Sequence, residues 1–529
     1  MERAEDQFVW PELVNPWKKA SLPFKMAFLS ASFFGVITHI YIFTNLILNH
    51  DSVWRIFYAN DHLYLGRWSL KALTSFSTKY QVPIIIAVIS VLMLALTAGI
   101  TVSVLNISNK VMAVLTGAFL VTIPSVACNL SYMFLADAHF ICLFLNAAAV
   151  YIAKRYKWGW VPAIVLCALA CGGYQAFISY AVGLFLLDCI LDLFTDKSVR
   201  EIIGKGLRYI FIIVASLALY YLILTVLLNV QGEELTSYQG LNSISPTNIK
   251  GFLNQIPQAY KDFIRCFKTS PYSATTKFYQ TIQVFFCALF FGILGYLTAA
   301  AKIYREWLRF ALLLVGCLLL PLAFNFITVF SIGAEVHDLM IYSFVLQYVF
   351  VLKLVELALQ RMITGGVPNW SVLYIASIFI AGLLIWDNFC VSNIAYLQLQ
   401  MCYENSYALA NRIAARIEVL DGYEPELPVA IVGEASLSLY GGGVSEFLQT
   451  NSMTGTTDRL LYSPETYDCR TRAFIEHYIG LHMPQPNQEQ FDMLGQSGVI
   501  EEMPSYPQEG SVIFYNGVIV VKLSDGPIR

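Results

Sequence analysis

Long apolar runs separated by short polar segments constrain this chain more than any single motif does. A helix needs about 20 apolar residues to cross the ~30 Å hydrocarbon core of a bilayer. Runs of that kind fall at Phe24–Leu48, Val82–Leu105, Val111–Cys128, Phe134–Ala153, Trp158–Cys171, Tyr174–Phe194, Tyr209–Val230, Phe278–Ala300, Phe310–Phe330, Leu339–Leu359 and Ser371–Cys390. They predict a polytopic α-helical membrane protein of about eleven spans. Hydrophobic residues make up 57% of the chain and charged residues 13%, which is not the balance of a soluble protein. The net charge of −3 is small and dispersed, so there is no basic face for nucleic acid, and the lipid bilayer is the partner that composition demands.

Orientation follows from Lys and Arg in the short loops, which favour the cytoplasmic side. With the N-terminus inside, the inside loops hold Lys110, then Lys154, Arg155 and Lys157, then Lys197, Arg200, Lys205 and Arg208, then Lys302, Arg305 and Arg309, then Arg361. The short outside loops at 129–133, 172–173 and 331–338 hold none. This alternation places loops 49–81 and 231–277, and everything after the last span, on the outer face.

The chain therefore divides into a transmembrane region, residues 1–400, and an extracytoplasmic α+β region, residues 401–529. In the second, Leu409, Ile413, Ile417 and Leu420 recur at helical spacing over Asn405–Leu420. Val429–Val432 reads as a strand, and Asn516-Gly517 between two β-rich runs predicts a hairpin. Gly441-Gly442-Gly443 lacks the Lys and Ser/Thr of a phosphate loop and reads as a turn.

Ionisable residues gather in the outer segments. The first loop, Asn49–Trp68, carries Asp51, Arg55, Asp61, His62 and Arg67 among aromatics that end in Trp68. A carboxylate at such an interface can serve as a general base, and an arginine can hold a phosphate. Asp137 and His139 stand at the outer end of the fourth run, Gly172-Gly173-Tyr174-Gln175 breaks the chain between two runs, and Glu335, His337 and Asp338 form a further cluster. Any one cluster fits the polar rim of a helix bundle, whereas all of them on one leaflet point to a site. Asp188 and Asp192, beside Lys197 and Arg200, read as surface pairs on the inner side, and Lys353 with Glu356 as a pair three residues apart. His39 reads as a hydrogen-bonded packing residue. The eleven cysteines form no C-x-x-C pair, so neither a disulfide framework nor a metal site is indicated and no cofactor is implied.

NHDSVW and GRW after the first run, then LADAHF, GGYQAFIS and the closing MPSYPQEGSVIFYNGVIVVKL, resemble the bacterial glucosyltransferase II (Gtr-type) membrane family, itself similar to the GT-C glycosyltransferases. The resemblance implies transfer of a hexose, usually glucose, from a polyprenyl-phosphate carrier to a cell-surface polysaccharide on the outer face of the cytoplasmic membrane. It implies Asp51 as the loop acid and base, Arg67 as the phosphate ligand with Arg55 second, and Asp137 and Gln175 as groups that orient sugar hydroxyls. Asp61, Trp68, His139, Tyr174 and His337 complete the expected substrate contacts. Where relatives double the loop acid, this chain has Asp51-Ser52, which disfavours a mechanism needing adjacent carboxylates or a metal. The rival reading is a transporter or flippase; its signatures are internal repeats and ionisable groups near the midplane, and the sequence shows neither.

Overall fold

The computed structural model describes residues 16–55, 62–77, 80–236, 249–269, 274, 276–330, 336–435, 447, 450, 452–457 and 468–528. A one-turn helix, α1 (Pro16–Lys19), leads into α2 (Leu22–Thr44). The first loop holds α3 (Ser52–Arg55) and α4 (Leu70–Thr74), and α5 (Pro83–Val104) follows. Next come the broken helix α6 (Lys110–Thr122) and α7 (Pro124–Ser131), then α8 (Met133–Arg155), α9 (Trp160–Gly173), α10 (Ile178–Asp192) and α11 (Val199–Gln231). The second half runs through α12 (Ile249–Arg265), α13 (Lys277–Ala300), α14 (Trp307–Phe324), α15 (Phe326–Phe330), α16 (Val345–Thr364) and α17 (Trp370–Glu418). The C-terminal region contains β1 (Val429–Val432), α18 (Asp468–Phe474), α19 (Gln488–Gln496), α20 (Val499–Glu502), β2 (Val512–Tyr515) and β3 (Val518–Lys522).

Among the described residues, ten helices are long and apolar enough to span a membrane, one fewer than the apolar runs predict. The remaining run forms α9, whose 14 residues reach only about 21 Å at 1.5 Å per residue. Its glycine-terminated end meets the first loop, so the helix still joins the same two poles as its neighbours. The last run does not stop where its hydrophobicity falls, because α17 continues for 49 residues, about 74 Å. The helix expected at Asn405–Leu420 is therefore the far end of this one, and residue 400 lies within it. The segment 231–277 also holds an amphipathic helix that the apolar pattern does not reveal, α12, which packs against α14 and α15.

Local chemistry sets the helix starts. Asn109 Oδ1 accepts from the amides of Val111 and Met112, and Ser198 and Glu201 form a reciprocal capping box at the start of α11. Small side chains then let helices approach: Ser30 Oγ donates to Val114 O at 2.7 Å between α2 and α6. His39 is a packing residue, as expected, with Nδ1 2.7 Å from Tyr396 Oη and Nε2 2.8 Å from Val121 O.

At the pole away from the first loop, Asp188 and Asp192 are buried rather than being surface pairs. Asp188 takes Lys154 at 2.7 Å, Lys205, and the Tyr209 hydroxyl at 2.8 Å, while Lys205 also reaches Asp192 at 2.7 Å. Glu356 pairs with Lys353 at 2.9 Å and accepts from the amides of Ser108 and Asn109, so it also caps α6. Each carboxylate is thus multiply paired, as a buried charge must be.

The sheet has strand order β1-β3-β2, with β1 parallel and β2 antiparallel to β3. Its hairpin turns at Asn516 and Gly517, with φ of 45° and 80°, the left-handed pair a tight I′ turn requires. One face, including Ile431 and Val521, packs on Leu409, Ile413 and Ile417 of α17, and the other packs on Leu494, Ile500 and Met503. Leu48 and Val53 of the first loop are buried in the core on the α17 face. The sheet region is thereby anchored to the loop that carries Asp51.

Candidate active site

The first loop is shaped by its own polar groups. Asn49 Oδ1 accepts from the Ser52 amide at 2.9 Å and the Ser52 hydroxyl at 2.8 Å, which starts α3 directly after Asp51. Gln81 donates to Ser52 O at 2.7 Å and closes the loop on itself. Further along, Gly66 at φ 72° lets the chain reverse before Arg67. Two side chains clamp this turn: Gln175 Nε2 donates to Leu65 O at 3.0 Å, and the Tyr220 hydroxyl donates to Gly66 O at 3.0 Å. Gln175 therefore positions Arg67, and its amide nitrogen is committed to that task.

The break after α9 builds the other wall. Ser69 N donates to Gly172 O at 2.8 Å and Ser69 Oγ to Leu169 O at 2.9 Å. Trp68 lies flat on Gly172, where a Cβ would come within 2.4 Å of its indole. Tyr174 follows, its ring stacked on His139 at 3.9 Å and covered on the Arg67 side, with the guanidinium 5.2 Å from the ring centroid. Arg67 and His62 both lie close enough to His139 to act on it electrostatically.

Asp137 and His139 are buried at the start of α8. His139 Nδ1 is 2.9 Å from Asn129 Oδ1, and Asn129 donates in turn to Leu339 O at 3.0 Å. Asp137 Oδ1 accepts from the Ala138 amide at 2.8 Å. The Ser77 hydroxyl beside this carboxyl is donated to Thr74 O at 3.1 Å. Arg67 Nε, Trp68 Nε1, Asp137 Oδ2 and His139 Nε2 are among the buried side-chain atoms at this pole that have no hydrogen-bond partner among the described residues. Buried polar groups in folded proteins are nearly always paired, and each orphan costs about 1–3 kcal/mol. Donors and an acceptor left open together are what a hydroxyl-bearing anion would satisfy.

Asp51 is half-buried at the seam with the C-terminal region, and α3, which follows it, packs against α8. Its Oδ1 meets Arg470 Nη2 at 2.6 Å and its Oδ2 meets His50 Nε2 at 3.5 Å. Arg55 closes α3 and is half-buried. His337 precedes a turn in which Asp338 is buried, and Asp338 Oδ2 accepts from the Thr454 amide at 3.1 Å. Asp61, Glu335 and the Gly441–Gly443 run lie outside the described residues. The structure thus brings Arg67, Trp68, Asp137, His139, Tyr174 and Gln175 to one pole, with Asp51 held by Arg470 and His337 next to Asp338, which accepts from the Thr454 amide. Arg470, Thr454, Asn129 and Tyr220 escape a reading of the sequence. Of these, only Asn129, in the short break between two apolar runs, carries a local signal.

The family model described as Glucosyl transferase GtrII matches residues 40–348. The matched segment runs from the end of α2 to the start of α16 and holds Asp51, Arg67, Asp137, His139 and Gln175, but not Arg470 or Thr454. No curated protein and no solved structure matches the chain.

Proposed function

The chain belongs to the glucosyl transferase GtrII family, and from that premise we propose that this multi-pass membrane glycosyltransferase is of GT-C type and moves glucose from a polyprenyl-phosphate carrier to a cell-surface polysaccharide. The first-loop pole is taken as the outer face of the bacterial cytoplasmic membrane, with the N-terminus inside and residues 401–529 outside. The observation that carries this reading is the group of open polar atoms on Arg67, Trp68, Asp137 and His139. A sugar phosphate offers both the anion and the hydroxyls they lack.

In the reaction, the acceptor hydroxyl oxygen bonds to the anomeric carbon while the bond from that carbon to the phosphate oxygen breaks. The lipid phosphate leaves with the electron pair, and the hydroxyl proton passes to Asp51. Arg67 stabilises the departing phosphate through charge-assisted hydrogen bonds, with Arg55 second. Asp137, His139 and Trp68 orient the sugar, Tyr174 gives Arg67 a face to rest on, and Gln175 fixes the turn that aims Arg67. His337 lines the approach of the acceptor, and Asp61 contributes a further substrate contact on the strength of the sequence alone. Exposed apolar side chains such as Leu222, Val226 and Val230 on α11 give a polyprenyl chain a surface to lie on near that pole.

The test supplies purified protein with labelled glucose either as polyprenyl-phosphate glucose or as a nucleotide sugar, with the polysaccharide fraction of the source envelope as acceptor. Label should move from the lipid-linked donor alone, and Arg67→Ala should raise the KM for donor more than that for acceptor. Efficient transfer from the nucleotide sugar in the absence of lipid carrier would refute the reading.

A further inference from the structure

Helix α18 carries two arginines, Arg470 and Arg472, that face different parts of the molecule. Arg472 is buried and donates to Met483 O at 3.1 Å, Pro484 O at 3.3 Å and Val429 O at 2.7 Å. It ties α18 to strand β1 and so belongs to the folding of the C-terminal region. Arg470 instead reaches out of that region to Asp51, at 2.6 Å.

The pair sits on a rigid mount. Leu48 and Val53, on either side of Asp51 in the chain, are buried in one core with Phe474 and Ile475, which end α18 and continue it, and with Leu409 of α17. Both ends of the ion pair are therefore carried by elements that pack on each other. The carboxylate is fixed at two points, with Arg470 on Oδ1 and His50 on Oδ2. The side chains of Arg470 and Asp51 keep 15% and 30% of their exposure, so the pair is partly buried and lies between a surface ion pair and a buried one. Its consequence for the site is position, because Arg470 Nη2 holds one carboxylate oxygen, Oδ1, and leaves Oδ2 towards His50.

We propose that Arg470 is a positioning residue for transfer, holding the Asp51 carboxylate in its working orientation and making the C-terminal region an obligate part of the reaction site. The proposal rests on the reading of Asp51 as the proton acceptor. It goes beyond that reading in assigning a role to a residue outside the segment the family model matches.

The experiment measures transfer from labelled polyprenyl-phosphate glucose to the envelope polysaccharide fraction by purified full-length variants, together with their unfolding temperatures. Arg470→Gln should lower kcat by ~10- to 100-fold, the scale of a misplaced reacting group, with the KM for donor unchanged within about twofold and the unfolding temperature close to wild type. Arg470→Lys keeps the charge on a side chain of different reach and shape and should recover part of the rate. In an Asp51→Asn background, Arg470→Gln should cause no further loss, because its effect runs through Asp51. An equal further loss in that background, or a rise in the KM for donor alone, overturns the positioning role while leaving Asp51 as base. Full activity of Asp51→Asn overturns both. If Arg470→Gln lowers the unfolding temperature substantially, the Lys variant decides: wild-type fold with wild-type kcat overturns the role, and wild-type fold with reduced kcat sustains it.

Discussion

The guanidinium of Arg67 lies 5.2 Å from the centroid of the Tyr174 ring, and that ring is stacked on His139 at 3.9 Å. Three residues from separate segments thus form one column, cation on ring on imidazole, with the Trp68 indole packed beside it on Gly172. The column holds Arg67 in place without using Nε, which remains open. A cation oriented this way is ready for an anion.

Gly172 is the position at which this arrangement is most easily broken. A Cβ there would lie 2.4 Å from Trp68 Cε2, and the indole cannot retreat because the backbone on both sides is hydrogen-bonded. Gly172→Val should therefore cost about 1–3 kcal/mol of stability, the usual range for overpacking, and lower transfer as Trp68 and Arg67 shift. Gly204 on α11 has nothing within 4 Å of its Cβ direction, so Gly204→Ala should leave both stability and transfer at wild-type levels or better. Equal behaviour of the two variants in thermal unfolding would contradict the packing argument.

The buried carboxylate at the opposite pole should behave differently. Asp188→Ala leaves Lys154 without its carboxylate, Lys205 with the Asp192 carboxylate alone and the Tyr209 hydroxyl unpaired. Removing one partner of a buried network costs about 3–5 kcal/mol, so the unfolding temperature in detergent should fall well below wild type. The fraction that stays folded should retain the wild-type KM for donor. A wild-type melting curve would show that the network is not stabilising.

Much of this was legible in the chain. The hairpin at Asn516-Gly517, the packing role of His39 and the gathering of polar residues at one pole follow from local chemistry. The continuity of α17 is legible too, since the residues between Cys390 and Asn405 contain neither Gly nor Pro, although falling hydrophobicity reads as the end of a helix. Asp188 reads as a surface residue in the sequence because its partners, Lys154 and Tyr209, lie on other helices. The Asp51–Arg470 pair joins opposite ends of the chain, and no periodicity or spacing encodes such a contact. The resemblance points Gln175 at the sugar, whereas in the structure its amide nitrogen donates to the Leu65 carbonyl and holds a turn.

Orientation rests on loop charge and can be read directly. Asp196 and Ser452 are both exposed, and neither caps a helix as Ser198 does for α11. In a background with the native cysteines replaced, a single cysteine at 196 should be protected from a membrane-impermeant thiol reagent in intact cells, while one at 452 should be labelled. Equal labelling of both, or the reverse pattern, contradicts an outer active site.

The central claim is that transfer takes place at the first-loop pole with Asp51 accepting the acceptor proton. It is tested most directly by the rate of glucose transfer from polyprenyl-phosphate glucose by purified Asp51→Asn and Asp137→Asn proteins, compared with wild type at matched unfolding temperature. Asparagine keeps the shape of the side chain and cannot take the proton, so Asp51→Asn should fall by at least about a hundredfold, the scale of a lost general base. Asp137→Asn should be affected mainly in KM. Wild-type turnover by Asp51→Asn together with an inactive Asp137→Asn would contradict the account and move the base to Asp137.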